Sequence, residues 1–600
     1  MNHEDDLTPA QPDPTPGASP QPDATSGGSP DPAPAGSGLS PAPRPSWFSR
    51  YRIAVISAAG AVVVGGVAVA AVLLLSQPNP TIEKMVPATH DVLVIANLNP
   101  SLAQKVNLLR AVHSFPDTTT DGAISKKLDE AFKDTGLSFT SDVQTWLAGE
   151  VGVSGKMNFA NGGDSPFALF ATSRDDAKAK AALAKLRSGT VGKKYRWRDE
   201  TYNGITIASG TPTATSEKPV AYSYVDHVVV VASSATVIHE IIDSDQGRGA
   251  RLVDSSDFKA TMTLLPSDRV GMGYLAGKSL VAGVKQQMAK PSTLGLPALK
   301  TVDDLNALQG IGGALSATGN GIAFDLAVKL DASKLSPATR QAFTATGHPD
   351  TVLRWVPKTS DGFLAIANVD KSIKSLLDQY GTDPSLKAGT DAVGLTGPTG
   401  ILPHLTGELG LEIELGNNTI PSGAILLGTN DTAAMNAFLG KVVGMASALG
   451  VGSSQGGILS PGFDPHSIDT LQTSTYRGTT ITTWHTPSLP GFAPSYAALD
   501  RMGVLASSPA EVRAVIDAHL SGSTITTDPT YQAASAASLP RPAGIMYVNL
   551  ARVVSVIQKL PTGSAVDTKA AAYLTPLQAL MLTASSETGA ALERFFVAIK

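Results

Sequence analysis

The pattern of hydrophobic and polar residues divides the chain into three parts. Residues 1–46 contain twelve prolines and few hydrophobic side chains. Such a segment buries too little apolar surface to offset the entropy cost of ordering, which predicts a disordered, proline-rich tail. The run Ile53–Leu75 then carries no charged side chain. As a helix it would be about 35 Å long, enough to cross a hydrocarbon core of about 30 Å.

The residues beside this run predict its orientation in the membrane. Arg44, Arg50 and Arg52 precede the run, whereas Lys84 is the nearest basic residue after it. The positive-inside rule therefore places the N-terminal tail in the cytoplasm and residues 77–600 outside it. A cleaved signal peptide would have its apolar core much nearer the N-terminus. We expect a single-pass protein of the cell membrane with an extracytoplasmic C-terminal domain.

Beyond the apolar run, strand-like and helix-like patterns mix without strict alternation, which predicts an α+β fold. The strand-like runs are rich in Val, Ile and Phe: Val92–Leu98, Phe167–Thr172, Val228–Ser233, Ile322–Leu330, Phe363–Val369 and Phe595–Lys600. The helix-like runs are Asp175–Leu186, Ala235–Asp243 and Ala510–Leu520.

Five short motifs of the outer segment recur in the same order later in the chain. The matched positions are Ile95 and Ile366, Glu150 and Glu408, Tyr202 and Tyr476, Ala232 and Ala506, and Leu326 and Phe596. An interval of about 270 residues is far longer than a solenoid repeat. It predicts two tandem copies of one mixed strand and helix module, at 83–330 and 362–600, joined by a connecting segment at 331–361.

Composition excludes several kinds of function. The formal net charge of −5 is small for 600 residues, and no long basic run predicts nucleic-acid binding. The absence of cysteine excludes disulfides, thiolate metal sites and a cysteine nucleophile. No histidine pair has a metal-binding spacing, and no phosphate-binding loop motif occurs. We therefore predict no cofactor.

One segment of the chain matches a nucleophile motif, but the residues around it do not fit the strand and helix that the motif requires. Gly452 to Gly456 fits G-x-S-x-G, with Ser454 at the centre. That motif needs a strand before the serine and a helix after it. A helix-like run precedes Ser454, and Pro461 follows, so we interpret the segment as a loop. Nearby, Asp464 and His466 are interpreted as an exposed polar turn.

Glu150 and Glu408 are the paired candidates for a functional site. Each follows a glycine at the start of a strand-like run, and each occupies the same place in its copy. Two carboxylates related by the duplication could form an acid/base pair or bind a cation. Alternatively, each glutamate caps a turn or pairs with a nearby cation in its own copy. No catalytic, cofactor-binding or metal-binding residue is assigned.

The opening "VPATHDVLVIANLNPS" and the segment "DVQTWLAGEVGV", placed after a single anchor, resemble a bacterial family of membrane-anchored proteins, the domain of unknown function 3352. The resemblance covers most of residues 83–600. The second copy departs from the pattern because His404 replaces Trp146. The family implies a membrane-anchored topology but no activity.

These observations favour a non-enzymatic binding or scaffold protein of the cell envelope. Its partners would be the membrane, through Ile53–Leu75, and an envelope protein, a wall component or a lipid. One alternative is a carrier that holds an apolar ligand between the two modules. Another is an envelope hydrolase that uses carboxylates or Ser454.

Overall fold

A computed structural model describes residues 81–116, 121–158, 165–215, 217–288, 302–344, 347–380, 384–416, 421–448, 469–485, 493–559 and 572–600. The predicted tail 1–46 and the predicted membrane span Ile53–Leu75 lie outside these ranges. Within them, no helix has the length and apolar character needed to cross a membrane.

In the described part of the chain, twenty strands pair antiparallel in one continuous sheet. The strands are β1 Val92–Asn97, β2 Leu147–Gly155, β3 Phe167–Ser173, β4 Tyr195–Tyr202, β5 Ile205–Pro212, β6 Val220–Val225, β7 Val228–Ala232, β8 Gly271–Ala276, β9 Leu308–Thr318, β10 Gly321–Leu330, β11 Gly362–Ile366, β12 Leu405–Glu414, β13 Ser422–Thr429, β14 Asp469–Tyr476, β15 Thr479–His485, β16 Ser495–Leu499, β17 Met502–Ala506, β18 Gly544–Val548, β19 Leu577–Glu587 and β20 Ala590–Ile599.

Helices lie between the strands, as expected for the predicted α+β class. They are α1 Ile82–Met85, α2 Leu102–His113, α3 Asp121–Phe132, α4 Asp176–Ser188, α5 Ala235–Asp245, α6 Ser256–Met262, α7 Gly277–Met288, α8 Val302–Leu305, α9 Pro337–Thr344, α10 Asp350–Leu353, α11 Val369–Tyr380, α12 Pro384–Ala392, α13 Thr432–Ala448, α14 Pro509–Ser521, α15 Pro529–Ser535 and α16 Leu550–Lys559.

The strands of the two halves pair in the same order. In the first half the order is β4-β5-β6-β7-β3-β2-β1-β8-β9-β10. In the second half it is β14-β15-β16-β17-β13-β12-β11-β18-β19-β20. Side chains also correspond. The Tyr202 hydroxyl donates to Asp243 at 2.9 Å, and the Tyr476 hydroxyl donates to Asp517 at 2.8 Å.

The two halves meet where β10 pairs with β20. Asp325 lies opposite Arg594 in this pairing, and the two residues hold the same position in the β9–β10 and β19–β20 hairpins. Arg594 Nε donates to Asp325 Oδ1 at 2.6 Å, and Asp325 is buried. The approximate two-fold axis between the halves therefore passes beside an ion pair in which the carboxylate is buried and the guanidinium is partly buried.

Helices pack on both faces of the sheet. The face covered by α5, α6, α14 and α15 is called the inner face here, whereas α4 and α13 pack against the opposite face towards the two ends of the sheet. In the first half, Ile238 and Ile241 of α5 and Phe258 of α6 pack with buried residues of the central strands. In the second half, Val515 of α14 and Tyr531 of α15 pack in the same way. Burial of alternate strand residues against these helices is the main stabilising contribution of the fold.

Two predicted boundaries differ from the structure. The strand-like run Phe363–Val369 is shorter as a strand because the helix α11 begins at Val369. The predicted connecting segment 331–361 contains α10, whose place in the second half corresponds to that of α1 in the first. The second half therefore begins before residue 362, and its first helix was hidden because four residues carry little periodicity.

Candidate functional site

Glu150 is buried and binds the start of the first helix. Its Oε2 accepts hydrogen bonds from the backbone N–H groups of Thr81 at 3.0 Å and Ile82 at 3.1 Å. The first N–H groups of a helix have no partner within the helix, and a carboxylate there is also favoured by the helix dipole. Glu150, on the neighbouring strand β2, thus supplies the hydrogen-bond acceptor for the backbone N–H groups at the N-terminus of α1.

Glu408 makes the corresponding contact in the second half. Its Oε2 accepts from the backbone N–H of Val352 at 2.9 Å, within the first turn of α10. Eight strands lie between β2 and β12 in the sheet order, which separates the strands that carry the two glutamates by about 43 Å measured along the sheet. Each glutamate therefore acts within its own half, and the two carboxylates do not converge on one site.

A different carboxyl group, Glu412 on β12, is buried in the core of the second half. Its Oε2 accepts a hydrogen bond from the Ser360 hydroxyl at 3.0 Å. Burial raises the pKa of Glu412 to about 9, and the neighbouring carboxyl of Glu511 on α14 contributes in the same direction. Both residues have one buried oxygen without a hydrogen-bonding donor. A proton shared by the two carboxyl groups satisfies both of these oxygens.

The groups around this pair add to its negative potential. Burial raises the pKa of Glu414, two residues along β12, and Glu511 and Asp361 contribute to this shift. Arg552 is the cation that approaches from α16, but its guanidinium donates to Asp528 at 2.7 Å and to the Ser360 carbonyl at 3.1 Å. Among the contacts of the described residues, no basic side chain is therefore available to offset the second negative charge that would arise if Glu412 and Glu511 were both ionised.

The first half places neutral groups at the same position. Ser154 and His90 correspond to Glu412 and Ser360, and His90 Nδ1 lies 2.7 Å from Ser154 Oγ. Burial lowers the pKa of His90 to about 4, which keeps the imidazole neutral. The acidic pair is therefore specific to the second half. It is too deeply buried to meet a substrate, so its chemical consequence is pH-dependent stability.

The other face of the sheet, called the outer face here, carries exposed apolar side chains. Phe324 on β10 and Phe595 on β20 are directly opposite each other at the joint of the halves, and they are 45% and 39% exposed. Farther along, Leu411 and Ile413 on β12 are 40% and 43% exposed. Contiguous apolar surface on this scale is typical of a binding surface.

Phe324, Phe595 and Leu411 belong to a continuous row that crosses the outer face. Each member is directly opposite the next on the neighbouring strand: Leu315, Phe324, Phe595, Leu582, Met546, Leu364, Leu411 and Ile425. Seven strand spacings of about 4.8 Å make the row about 34 Å long. At the β9–β10 end, Leu108 of α2 packs against Ala317 and covers the margin of this face.

Sequence reasoning missed the outer face because β12 reverses the usual pattern. In Leu411-Glu412-Ile413, alternation predicts that the aliphatic residues are buried and the glutamate is exposed. The structure has the opposite arrangement, with Glu412 buried and both aliphatic residues exposed. The signal was present as a charge in the middle of a strand-like run, but strand pairing alone decided which face became the core.

The other sequence candidates give no further site. Ser454, Asp464 and His466 lie outside the described residues. Within the described ranges, no group of three or more His, Asp or Glu side chains is arranged to hold a metal ion.

The fold and its outer face define a class of α+β proteins built on one long antiparallel sheet with an exposed apolar surface. The chain belongs to the family described as Protein of unknown function (DUF3352), whose model matches residues 53–457 and 464–593. The match begins at the first residue of the predicted membrane span. It confirms the resemblance seen in the sequence.

Solved structures and curated proteins add little to this assignment. Crystal forms III, I and IV of TP0453 are similar to part of the chain at 14%, 12% and 12% identity. They cover 44%, 42% and 42% of this chain and 85%, 79% and 81% of that chain, each with a TM-score of 0.22. So low a score supports no argument about function. No curated protein matches the chain.

Proposed function

We propose that the chain is a membrane-anchored, extracytoplasmic binding protein of the cell envelope, built from two tandem copies of one α+β module. We further propose that the outer face at the joint of the modules binds the acyl chains of lipids. The common strand order of the two halves supports the duplication. The exposed pair Phe324 and Phe595 is the observation that carries the lipid-binding proposal.

The chemistry of the outer face favours an apolar ligand. Phe324 and Phe595 are flanked on the adjacent strands by Leu315 and Leu582, so four apolar side chains adjoin one another across the joint. Burying such side chains contributes roughly 25 cal/mol per Å² of apolar area removed from water. Glu593 is the charged residue that β20 presents on this face. A ligand made of hydrocarbon fits this surface better than a sugar or a charged peptide.

The predicted anchor brings this surface near a source of acyl chains. Six residues separate Leu75, the end of the predicted span, from Ile82, the start of α1. Even fully extended, that connection reaches at most about 25 Å. The folded part is thereby tethered at the bilayer surface, where lipid is the most abundant apolar compound.

The position of the surface also supports the carrier alternative, because the outer-face row crosses the joint between the proposed modules. The hydrolase alternative receives no comparable support. Glu150 and Glu408 each bind a helix N-terminus, and Glu412 on β12 and Glu511 on α14 are buried in the core. We therefore retain acyl-chain binding as the proposed function.

The test is photo-labelling of the full-length chain in nanodiscs that contain a phospholipid with a diazirine-bearing acyl chain. Mass spectrometry then locates the labelled peptides. We expect labelling of peptides containing Phe324 and Phe595, in addition to the predicted span Ile53–Leu75. The double variant Phe324→Ser/Phe595→Ser should lose the labelling at β10 and β20.

The matched control is Leu520→Ser, which removes an equally exposed apolar side chain, 50% exposed, at the end of α14. This variant should label like the wild type. Labelling confined to residues 53–75, or labelling of β10 and β20 that survives in the double variant, would contradict acyl-chain binding on the outer face.

A further inference from the structure

The continuous sheet ends in two edge strands, β4 in the first half and β14 in the second. Each pairs with one neighbour, β5 or β15, and within the described ranges no strand pairs with the opposite edge. An open edge presents unpaired N–H and C=O groups, which can pair with another chain unless charges or a covering segment prevent it. The two edges are equivalent by position, so they can be compared residue by residue.

The hairpin turn fixes which backbone groups of β14 face outward. The turn residues Arg477 and Gly478 have φ values of 47° and 80°, as in the tight two-residue turns of β-hairpins. In such a hairpin the flanking pair Tyr476 and Thr479 is hydrogen-bonded, and bonded and non-bonded pairs then alternate along the strand. The N–H and C=O groups of Thr475 and Thr473 therefore point away from β15.

The same geometry applies to β4, where Thr201 and Asp199 present the outward backbone groups. The side chains of the two strands nevertheless differ. Four of the five exposed positions of β4 are charged, at 196, 198, 199 and 200, and the fifth is Thr201, whereas the exposed positions 471–475 of β14 are Leu, Gln, Thr, Ser and Thr. The edge strand β4 thus carries charges that protect it against pairing with another chain, whereas β14 carries residues that favour strands.

We propose that β14 is an interaction edge that pairs antiparallel with β14 of a second copy of this chain, so that the sheet continues across a two-fold axis. A two-fold pairing places the same surface on both partners. If the axis passes at Thr473, this residue is opposite its own copy, and Leu471 is opposite Thr475. If it passes at Ser474, the two serines are opposite each other. Neither arrangement places like charges directly opposite each other.

Two-fold pairing about the charged residues of the first-half edge would bring like charges together. A two-fold pairing of β4 centred on Arg198, Asp199 or Glu200 would place that charge directly opposite itself. Like charges at directly opposite positions destabilise a strand pair. The electrostatic difference between the two edges therefore selects β14 as the edge that dimerises, and it leaves β4 as a built-in control.

The absence of native cysteine makes disulfide trapping a direct test. Directly opposite residues of an antiparallel pair have Cα atoms about 4.5–5.5 Å apart, within the range that a disulfide spans. Thr473→Cys reports an axis at residue 473, and Ser474→Cys reports an axis at residue 474. The control on β4 is a mixture of Arg198→Cys and Glu200→Cys chains, whose cysteines would be directly opposite each other about an axis at Asp199 while the Asp199 charge is kept. All variants are made in the full-length chain in membranes.

Under mild oxidation we expect one of the two β14 variants to form a disulfide-linked dimer more than about tenfold faster than the β4 mixture, because a bound pair has a much higher effective concentration than a random collision. Equal rates at the two edges, or no cross-linked dimer through β14, would overturn the proposal.

A second measurement requires no new cysteine. Light scattering of the full-length wild type in detergent micelles should give the mass of a dimer. Thr473→Asp/Ser474→Glu, which copies Asp199 and Glu200, should give a monomer, whereas Thr201→Asp on β4 should leave the dimer intact. A monomeric wild type, or a double variant that remains dimeric, would refute pairing through β14. Lipid labelling at Phe324 does not depend on this result.

Discussion

Replacement of Glu412 by glutamine should stabilise the protein at neutral pH. Burial and the Glu511 carboxyl raise the pKa of Glu412 from 4.5 to about 9. Between these two values the folded chain retains a proton at this site that the unfolded chain releases. The free energy of unfolding therefore falls as the pH rises, by about 1.4 kcal/mol per pH unit. The contribution is fully present below 4.5 and is lost by the time the pH reaches about 9.

The magnitude near neutral pH follows from this slope. About pH 7 lies roughly 2.5 units above the ordinary pKa, so keeping Glu412 protonated costs the wild type about 3 kcal/mol of stability. Glutamine has nearly the same shape and does not ionise. Its amide nitrogen can donate to Glu511 in place of the shared proton, and its oxygen can still accept from Ser360. Glu412→Gln should therefore be more stable by up to about 3 kcal/mol near pH 7 and equal to wild type near pH 4.5.

Urea unfolding of the full-length chain in micelles, at several values between about pH 5 and pH 8, measures this difference. Tryptophan fluorescence is a suitable signal because Trp355 is buried in the core cluster that contains Ile545 and Tyr547. Glu587→Gln, at an exposed position on β19, is the control for loss of one negative charge. A stability difference for Glu412→Gln that does not change with pH, or a loss of stability near pH 7, would refute the shared-proton arrangement.

Three further predictions concern stability and location. Glu150→Ala and Glu408→Ala should each lower the free energy of unfolding by about 1–3 kcal/mol, because backbone N–H groups at a helix start lose a charged acceptor. Urea unfolding that shows no loss of stability would contradict this role. Arg594→Met should cost about 3–5 kcal/mol by leaving Asp325 buried and unpaired, and Asp325→Leu in the same chain should restore much of the loss, as thermal unfolding would reveal. The protein should stay in the membrane after alkaline carbonate extraction, and quantitative release of a chain cleaved after Ile53–Leu75 would exclude the anchor.

Several features could be read directly from the sequence because they depend on local patterns. Hydrophobic periodicity located the helix Asp176–Ser188 and the strand Phe167–Ser173 closely, with each boundary at or near its predicted position. The order of repeated motifs predicted two tandem modules, which stays a prediction that the common strand order of the two halves supports. The hydrogen bonds of Glu150 to a helix start are close to one of the two interpretations left open for it. Local features of this kind can be predicted from the sequence because residues close together in the chain determine them.

Only the tertiary structure decided which strands are neighbours and which face of each strand is covered. Period-two alternation in Leu411-Glu412-Ile413 shows that the two faces of β12 differ, but not which face is buried in the core beside α14. Pairing of β12 with β11 and packing of α14 turned Glu412 inward beside Glu511, a residue far along the chain. The outer face at Phe324 and Phe595 likewise exists because two strands from opposite halves of the chain pair at the joint. Long-range pairing is set by the burial of the whole sheet, and no local pattern in the sequence encodes it.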